Sequence, residues 1–280
     1  MIGNVSRFAK RLVVLVPGII IAYLSFRNLL PYIHRRLPIG FAIFVTYVLV
    51  AYIFIPALFR GYRILRPAKH VPFYCVTPDG FASDPINVGI IGTRRQLITA
   101  MEAAGWSVAD PHTSKNMSRQ VLSFIFRREY RNAPVSNLYL FGRKQDIAFE
   151  IPVAGAGVSR HHTRFWATTF EEKKRLAVHT IHWHHRKSHV YGDNLLWVGA
   201  ASLDVGLAPI RHNFQLTHLI HPDTNQEREL IVAQLRKQHL VDRQTVITLD
   251  KPYRLMNRAL TAYANADGMM RVVWLKKSKP

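Results

Sequence analysis

QDIAFEIPV (Gln145–Val153) and RHHTRFW (Arg160–Trp166) decide how this chain folds. In the first run, alternation sets Asp146, Ala148 and Glu150 on one face and Ile147, Phe149 and Ile151 on the other. In the second, Arg160, His162, Arg164 and Trp166 share a face, opposite His161, Thr163 and Phe165. The small residues Ala154-Gly155-Ala156-Gly157 between them suit a hairpin connection. Antiparallel pairing with Glu150 beside Arg160 would set Ala148 against His162 and Asp146 against Arg164. A third run, LLWVGAASLD (Leu195–Asp204), continues as a strand. Its Gly199, Ala200, Ala201 and Ser202 keep one region small, for close approach of a ligand or another backbone.

Two explanations fit the charges of this ribbon. Arg160 and Arg164 neutralise Glu150 and Asp146, as cross-strand pairs do. Alternatively, two guanidinia and an imidazole converge on a phosphate or carboxylate, since arginine offers bidentate donors. The two are compatible if the carboxylates fix the arginines from behind.

Outward from the ribbon, the chain reads as α+β. Ile86–Gly92 is a short apolar strand, and Thr93 caps a helix with Leu97, Ile98, Met101 and Ala104 at helical spacing. Only Gly92 stands at that junction, so no phosphate loop is present. Trp106–Ala109 is a brief strand, a helix starts at Ser114, and Leu138–Phe141 is another strand. Downstream, Thr224 and Glu227 suggest a capping box before Leu230, Ile231 and Leu235. Thr245–Leu249 is a strand, and Leu260–Ala264 with Met270–Leu275 suggests a closing hairpin.

The first sixty residues differ in kind. Leu37–Phe59 is an uncharged run of 23 residues, roughly 34 Å as a helix and enough for a bilayer core of ~30 Å. Leu12–Ile33 would supply a second span. The expected organisation is a membrane anchor over 1–68 (helix 37–59, second span 12–33), a linker over 69–85 and one mixed α/β domain over 86–280 with a central antiparallel ribbon. Arginines and lysines flanking the spans would place the domain on the cytoplasmic side of a bacterial inner membrane. The chain of 280 residues carries a formal charge of +21. That balance favours anionic partners, membrane lipid or a phosphorylated small ligand, rather than nucleic acid. Cys75 is the only cysteine, so no internal disulfide forms.

His179, His182, His184, His185 and His189 crowd the connection after the ribbon. His182, His184 and His185 are candidate metal ligands, although neighbouring lysines and arginines would repel a cation and suit a basic loop on anionic lipid. No G-x-S-x-G elbow or H-E-x-x-H motif occurs.

The runs DPINVGIIGT, AAGWSVADP, APVSNLYLFGRKQDIAFE, RHHTRFW, LLWVGAASLD and LTHLIHPDTNQEREL, in this order, closely resemble the LssY C-terminal domain family of bacterial proteins, over approximately Ile86 to Leu240. Members often carry short transmembrane segments before the domain. The resemblance implies no established activity or cofactor, and the family name suggests by association an envelope or secretion partner. Members generally show a histidine pair and an Asp-x-Asp-x-Glu-Arg pattern; here Leu219 and Asn225 stand at two of those positions, which weakens a carboxylate-rich metal site. The expected function is a membrane-anchored accessory or binding domain whose cationic face holds an anionic ligand or lipid through Arg160, Arg164 and Trp166. The alternative is a hydrolase or transferase acting on a phosphorylated or lipid-linked substrate. There His161 or His162 would be base or nucleophile, assisted by Asp204 or His218.

Overall fold

Alternation in the ribbon builds a sheet buried on both faces, and the computed structural model shows what covers each. It describes residues 19–21, 23–55, 57–58, 72–78, 80, 82–126, 130–140, 142–153, 159–183, 195–209, 216–256 and 263–276. These fall into two units, Met1–Pro67 with Pro78–Gly80, and Ala68–Thr77 with Phe81–Pro280.

In the first unit a π-helical turn, Ser25–Leu29, leads into α1 (Leu30–His34). After a break at residues 35–38 comes α2 (Ile39–Leu49), then a second π-helical turn, Val50–Phe54. The apolar run is therefore not one uniform α-helix. α2 has 11 residues, about 16 Å at the α-helical rise, and the winding then changes. Among the described residues no helix is long and apolar enough to cross a membrane. This corrects the expected spans Leu37–Phe59 and Leu12–Ile33, whose first seven residues lie outside the described ones. The inner-membrane localisation, the cytoplasmic placement derived from it and the membrane-lipid partner lose their basis with the spans.

The second unit holds β1 (Tyr74–Val76), β2 (Ala82–Pro85), β3 (Val88–Ile91), α3 (Arg94–Ala103), β4 (Ser107–Val108), α4 (Ser114–Ile125), β5 (Tyr139–Leu140), β6 (Arg143–Lys144), β7 (Ile147–Pro152) and β8 (Arg160–Thr168). It continues with β9 (Leu196–Pro209), β10 (Leu216–Ile220), α5 (Asn225–Lys237), β11 (Val241–Thr248), β12 (Tyr253–Met256), β13 (Tyr263–Ala266) and β14 (Met269–Leu275). The main sheet runs β11-β14-β3-β9-β8-β7-β4, with β10 added against β9. Among the named strands of the described residues only the β14–β3 pair is parallel, so the expected mixed α+β architecture around an antiparallel ribbon stands once the membrane helices are removed from it. Of the expected closing hairpin, residues 260–262 lie outside the described ones; among those described, β13 pairs β12 and not β14, which lies between β11 and β3.

The capping box Thr93/Gln96 starts α3, whose Leu97, Ala100 and Met101 join Ile231, Val232 and Leu235 of α5 on one sheet face, against Phe149, Phe165 and Trp197. On the other face Trp166, Leu196, Val198 and Val272 pack under Cys75, Ile86, Leu138, Leu140, Ile181 and Trp183. Cys75 and Leu140 of that cover belong to a small sheet ordered β2-β1-β5-β6, so strands stand where residues 69–85 read as a linker.

Gly199 faces Phe165 across the ladder. A Cβ there would lie 2.5 Å from a Phe165 ring carbon and 2.7 Å from a Val88 methyl. Glycine at this point makes room for core side chains rather than for a ligand. Replacing Gly199 by alanine is expected to lower stability by about 1–3 kcal/mol through overpacking, as urea denaturation would measure. A loss within experimental error would mean that the core around Phe165 can yield.

Candidate functional site

β8 carries the ribbon's charges into the covered face, and neighbouring strands answer them. The β7–β8 register pairs Glu150 with His162, Ala148 with Arg164 and Pro152 with Arg160. This lies two residues from the expected register. A two-residue offset preserves facing, so the right side chains share the face although their partners change. Arg160 Nη1 still donates to Glu150 at 2.9 Å, and its Nε lies 3.6 Å from Asp204. Arg164 donates instead to Asp84 of β2 at 2.7 Å and to the Ser136 carbonyl at 3.0 Å. Asp146 is occupied by Arg143 and by the Ala167 amide.

Seven ionisable side chains thus meet: Asp84, Glu150, Arg160, His162, Arg164, Asp204 and His218. His162 stands between two aspartates, its Nδ1 3.4 Å from Asp204 and its Nε2 3.5 Å from Asp84. Ser202 Oγ lies 3.0 Å from Nε2. Ser202, His162 and Asp204 thus stand in a line, although His162 Nδ1 makes no hydrogen bond among the described residues. Ser202 is wholly buried, so no substrate reaches that hydroxyl in this arrangement. The most exposed member is His218, whose side chain is 35% exposed and whose Nδ1 lies 2.7 Å from Asp204 Oδ2. A β-bulge makes this contact. His218 is paired with Leu207 and Leu219 with Gly206, but Ile220 pairs with Asp204. The skipped residue brings His218 onto the face of Asp204, since bulges re-aim side chains.

Burial and charge set the ionisation of the acids. Burial favours the neutral form of Asp84, but Arg164 and His162 outweigh it and hold the carboxyl below its ordinary range. At Asp204 burial is likewise overcome, by the charge of His162, the His218 hydrogen bond and Arg160, and the group stays ionised far into acid. Glu150 goes the other way: burial outweighs Arg160 and lifts its carboxyl from 4.5 to about 7. Three acids therefore meet two arginines, and the face is not the net cationic surface expected.

The other expected site residues fall elsewhere. His161 points to the opposite face, where Nδ1 lies 2.8 Å from Glu227 of α5. Glu227 therefore makes no capping box, and the side chain of Thr224 donates to the Asn265 carbonyl instead. Trp166 is a core residue with Nε1 donating to the Arg143 carbonyl at 3.2 Å. His182 Nδ1 lies 2.7 Å from Thr169 Oγ1, while His184 and His185 lie outside the described residues. Among those described, no group of three or more histidine, cysteine, aspartate or glutamate side chains is arranged to hold a metal ion. Asp84 escaped the reading because it sits in a stretch rich in proline and glycine, with no local pattern announcing a partner 80 positions away.

Fold and site together define an α+β protein whose mixed sheet buries a balanced charge cluster beneath a small second sheet. The chain matches the family model described as LssY C-terminus over residues 68–270, and it belongs to that family. The match takes in β1 and β2, and with them Asp84. No curated protein and no solved structure matches the chain.

Proposed function

We propose that the exposed edge of this cluster is an acid–base catalytic site, with His218 as the proton-transferring group, Asp204 as the carboxylate that orients it and Arg160 as a substrate-binding donor. The observation that carries this reading is the 2.7 Å contact from a part-exposed imidazole to a buried aspartate. Because Asp204 is ionised, it can only accept, so Nδ1 of His218 carries the proton. The outward nitrogen, Nε2, is then the basic one. Arg160, its side chain 14% exposed, uses Nη1 and Nε on acids, and Nη2 has no hydrogen-bond partner among the described residues. His162 and Arg164 are too buried to touch a substrate. A purely architectural role for the cluster fits poorly. Each buried ion carries a desolvation cost of several kcal/mol, and apolar residues of similar volume would often serve stability better. Groups so arranged at an accessible edge are the ordinary signature of a site.

The test uses the full chain against chromogenic carboxyl esters, phosphoesters and glycosides. Turnover is expected to fall about 10²–10⁴-fold in His218→Ala and to fall in Asp204→Asn, with folding intact by circular dichroism. Undiminished turnover in His218→Ala would sink the assignment. So would nitrogen-15 spectra placing the proton of wild-type His218 on Nε2, whether or not any probe is turned over.

A further inference from the structure

We infer that Glu150 determines the charge of the ligand this site accepts. As a carboxylate it leaves the Arg160 guanidinium no charge to spare, so the site takes an uncharged acceptor: an ester, amide or glycosidic oxygen. As a neutral carboxyl it frees Arg160 to hold an anion. The inference rests on the acid–base reading, which makes Arg160 the substrate-binding donor.

Arg160 serves two acids from one guanidinium. Nη1 donates to Glu150 Oε2 at 2.9 Å, and Nε lies 3.6 Å from Asp204 Oδ2. Nη2 is left for a ligand at the partly exposed edge, while Glu150 itself is 1% exposed and out of a ligand's reach. Asp84 and Arg164 balance each other at 2.7 Å. Asp204, which stays ionised, balances Arg160. Glu150 is then the charge that tips the cluster. Ionised, it makes the surroundings of Arg160 negative, and an anion arriving at Nη2 is repelled through a buried region that salt screens poorly. Neutral, it withdraws that repulsion and leaves the guanidinium with one charged partner instead of two.

Few charged or titratable groups face Glu150. β8 presents Arg160 and, directly across the ladder, His162. Asp204 of β9 adds like charge, and β4 opposes Glu150 with Ser107, which carries none. Its second oxygen, Oε1, is buried without a hydrogen-bond partner among the described residues. Burial outweighs the pull of Arg160 and lifts the carboxyl to about 7, so both forms are populated near neutrality. Glutamine at this position keeps an oxygen that can accept from Nη1 and removes the charge.

The probe is inorganic sulfate, whose charge does not change between pH 5 and 8. It is titrated at constant ionic strength into the full chain labelled with nitrogen-15 arginine, and binding is read at the Arg160 Nε–H signal. At pH 8 Glu150→Gln is expected to bind sulfate about tenfold more tightly than wild type; at pH 5 the two should bind alike. His162 and His218 stand in both proteins, so the comparison isolates Glu150. Reciprocity supplies a measurement that needs no variant. Sulfate must raise the pH at which the wild-type Glu150 carboxyl titrates, by about one unit for a tenfold coupling, as carbon-13 spectra would record. Equal affinities at pH 8 overturn the inference and leave the acid–base reading of His218 and Asp204 standing. Sulfate that moves no Arg160 signal in Glu150→Gln does the same. Should Glu150→Gln fail to fold, an unmoved Glu150 titration in wild type overturns it. A wild-type His218 protonated on Nε2 removes the acid–base reading instead, whatever sulfate does.

Discussion

Arg164→Met is expected to lower the stability of the folded chain by about 3–5 kcal/mol, the cost of leaving a buried charge without its partner. The guanidinium lies 2.7 Å from Asp84 and donates to the Ser136 carbonyl at 3.0 Å. Both charged side chains are only 6% exposed. Methionine fills nearly the same space, so the loss measures the orphaned carboxylate rather than a cavity. Asp84 is held ionised mainly by Arg164, against its burial; with the arginine gone, its nearest remaining counter-charge is His162 at 3.5 Å. Adding Asp84→Asn to Arg164→Met should recover most of the loss, because two neutral groups leave nothing uncompensated. The pH dependence follows the same logic. A carboxyl whose folded pKa is depressed contributes stability above its unfolded pKa of about 4, and that stability fades as pH falls through the folded value. Arg164→Met should therefore lose most at neutral pH and least in strong acid. Urea unfolding of the four members of the cycle decides the matter. A single-variant loss below about 1 kcal/mol would place this pair with exposed surface bridges and remove the tie between β2 and β8.

How much of this the sequence disclosed depends on the range of the interaction. Local patterns were reliable. The alternation of Gln145–Val153 and Arg160–Trp166 assigned faces correctly even though the register was two residues off, because side-chain period two is blind to even offsets. The Thr93 cap was legible because Gln96 stands three residues on. Composition was the weaker guide. Leu37–Phe59 has the content of a spanning helix, but content does not record continuity, and the winding changes at Val50.

The site divides along the same line. Arg160 and His162 were visible as polar residues at strand positions, Asp204 at a strand's end and His218 within the last motif. Their connections were not, since a bulge decides whether His218 meets Asp204 and a distant strand supplies Asp84. Arg164 looked like a ligand-binding arm because its partner, Asp84, lay in what read as linker.

Glu150→Gln should make the chain more stable than wild type at pH 8 and nearly equal to it at pH 4.5. The Glu150 carboxyl is raised from 4.5 to about 7 in the folded chain, so folding tightens its hold on a proton. Below about 4.5 that contribution is fully present; it is lost as pH rises towards 7, beyond which the folded chain must bury the charge. A shift of this size corresponds to about 3 kcal/mol. Glutamine keeps the shape and cannot ionise, so the difference between the two proteins should grow by about that amount from pH 4.5 to 8. Asp84 and Asp204, both depressed, pull wild-type stability the opposite way in acid. They are present in both proteins and cancel in the difference, which is why the difference rather than either curve is the informative quantity. Chemical denaturation at several pH values gives it directly. A difference that stays flat across this range would mean that Glu150 is ionised throughout, its charge met by Arg160 alone.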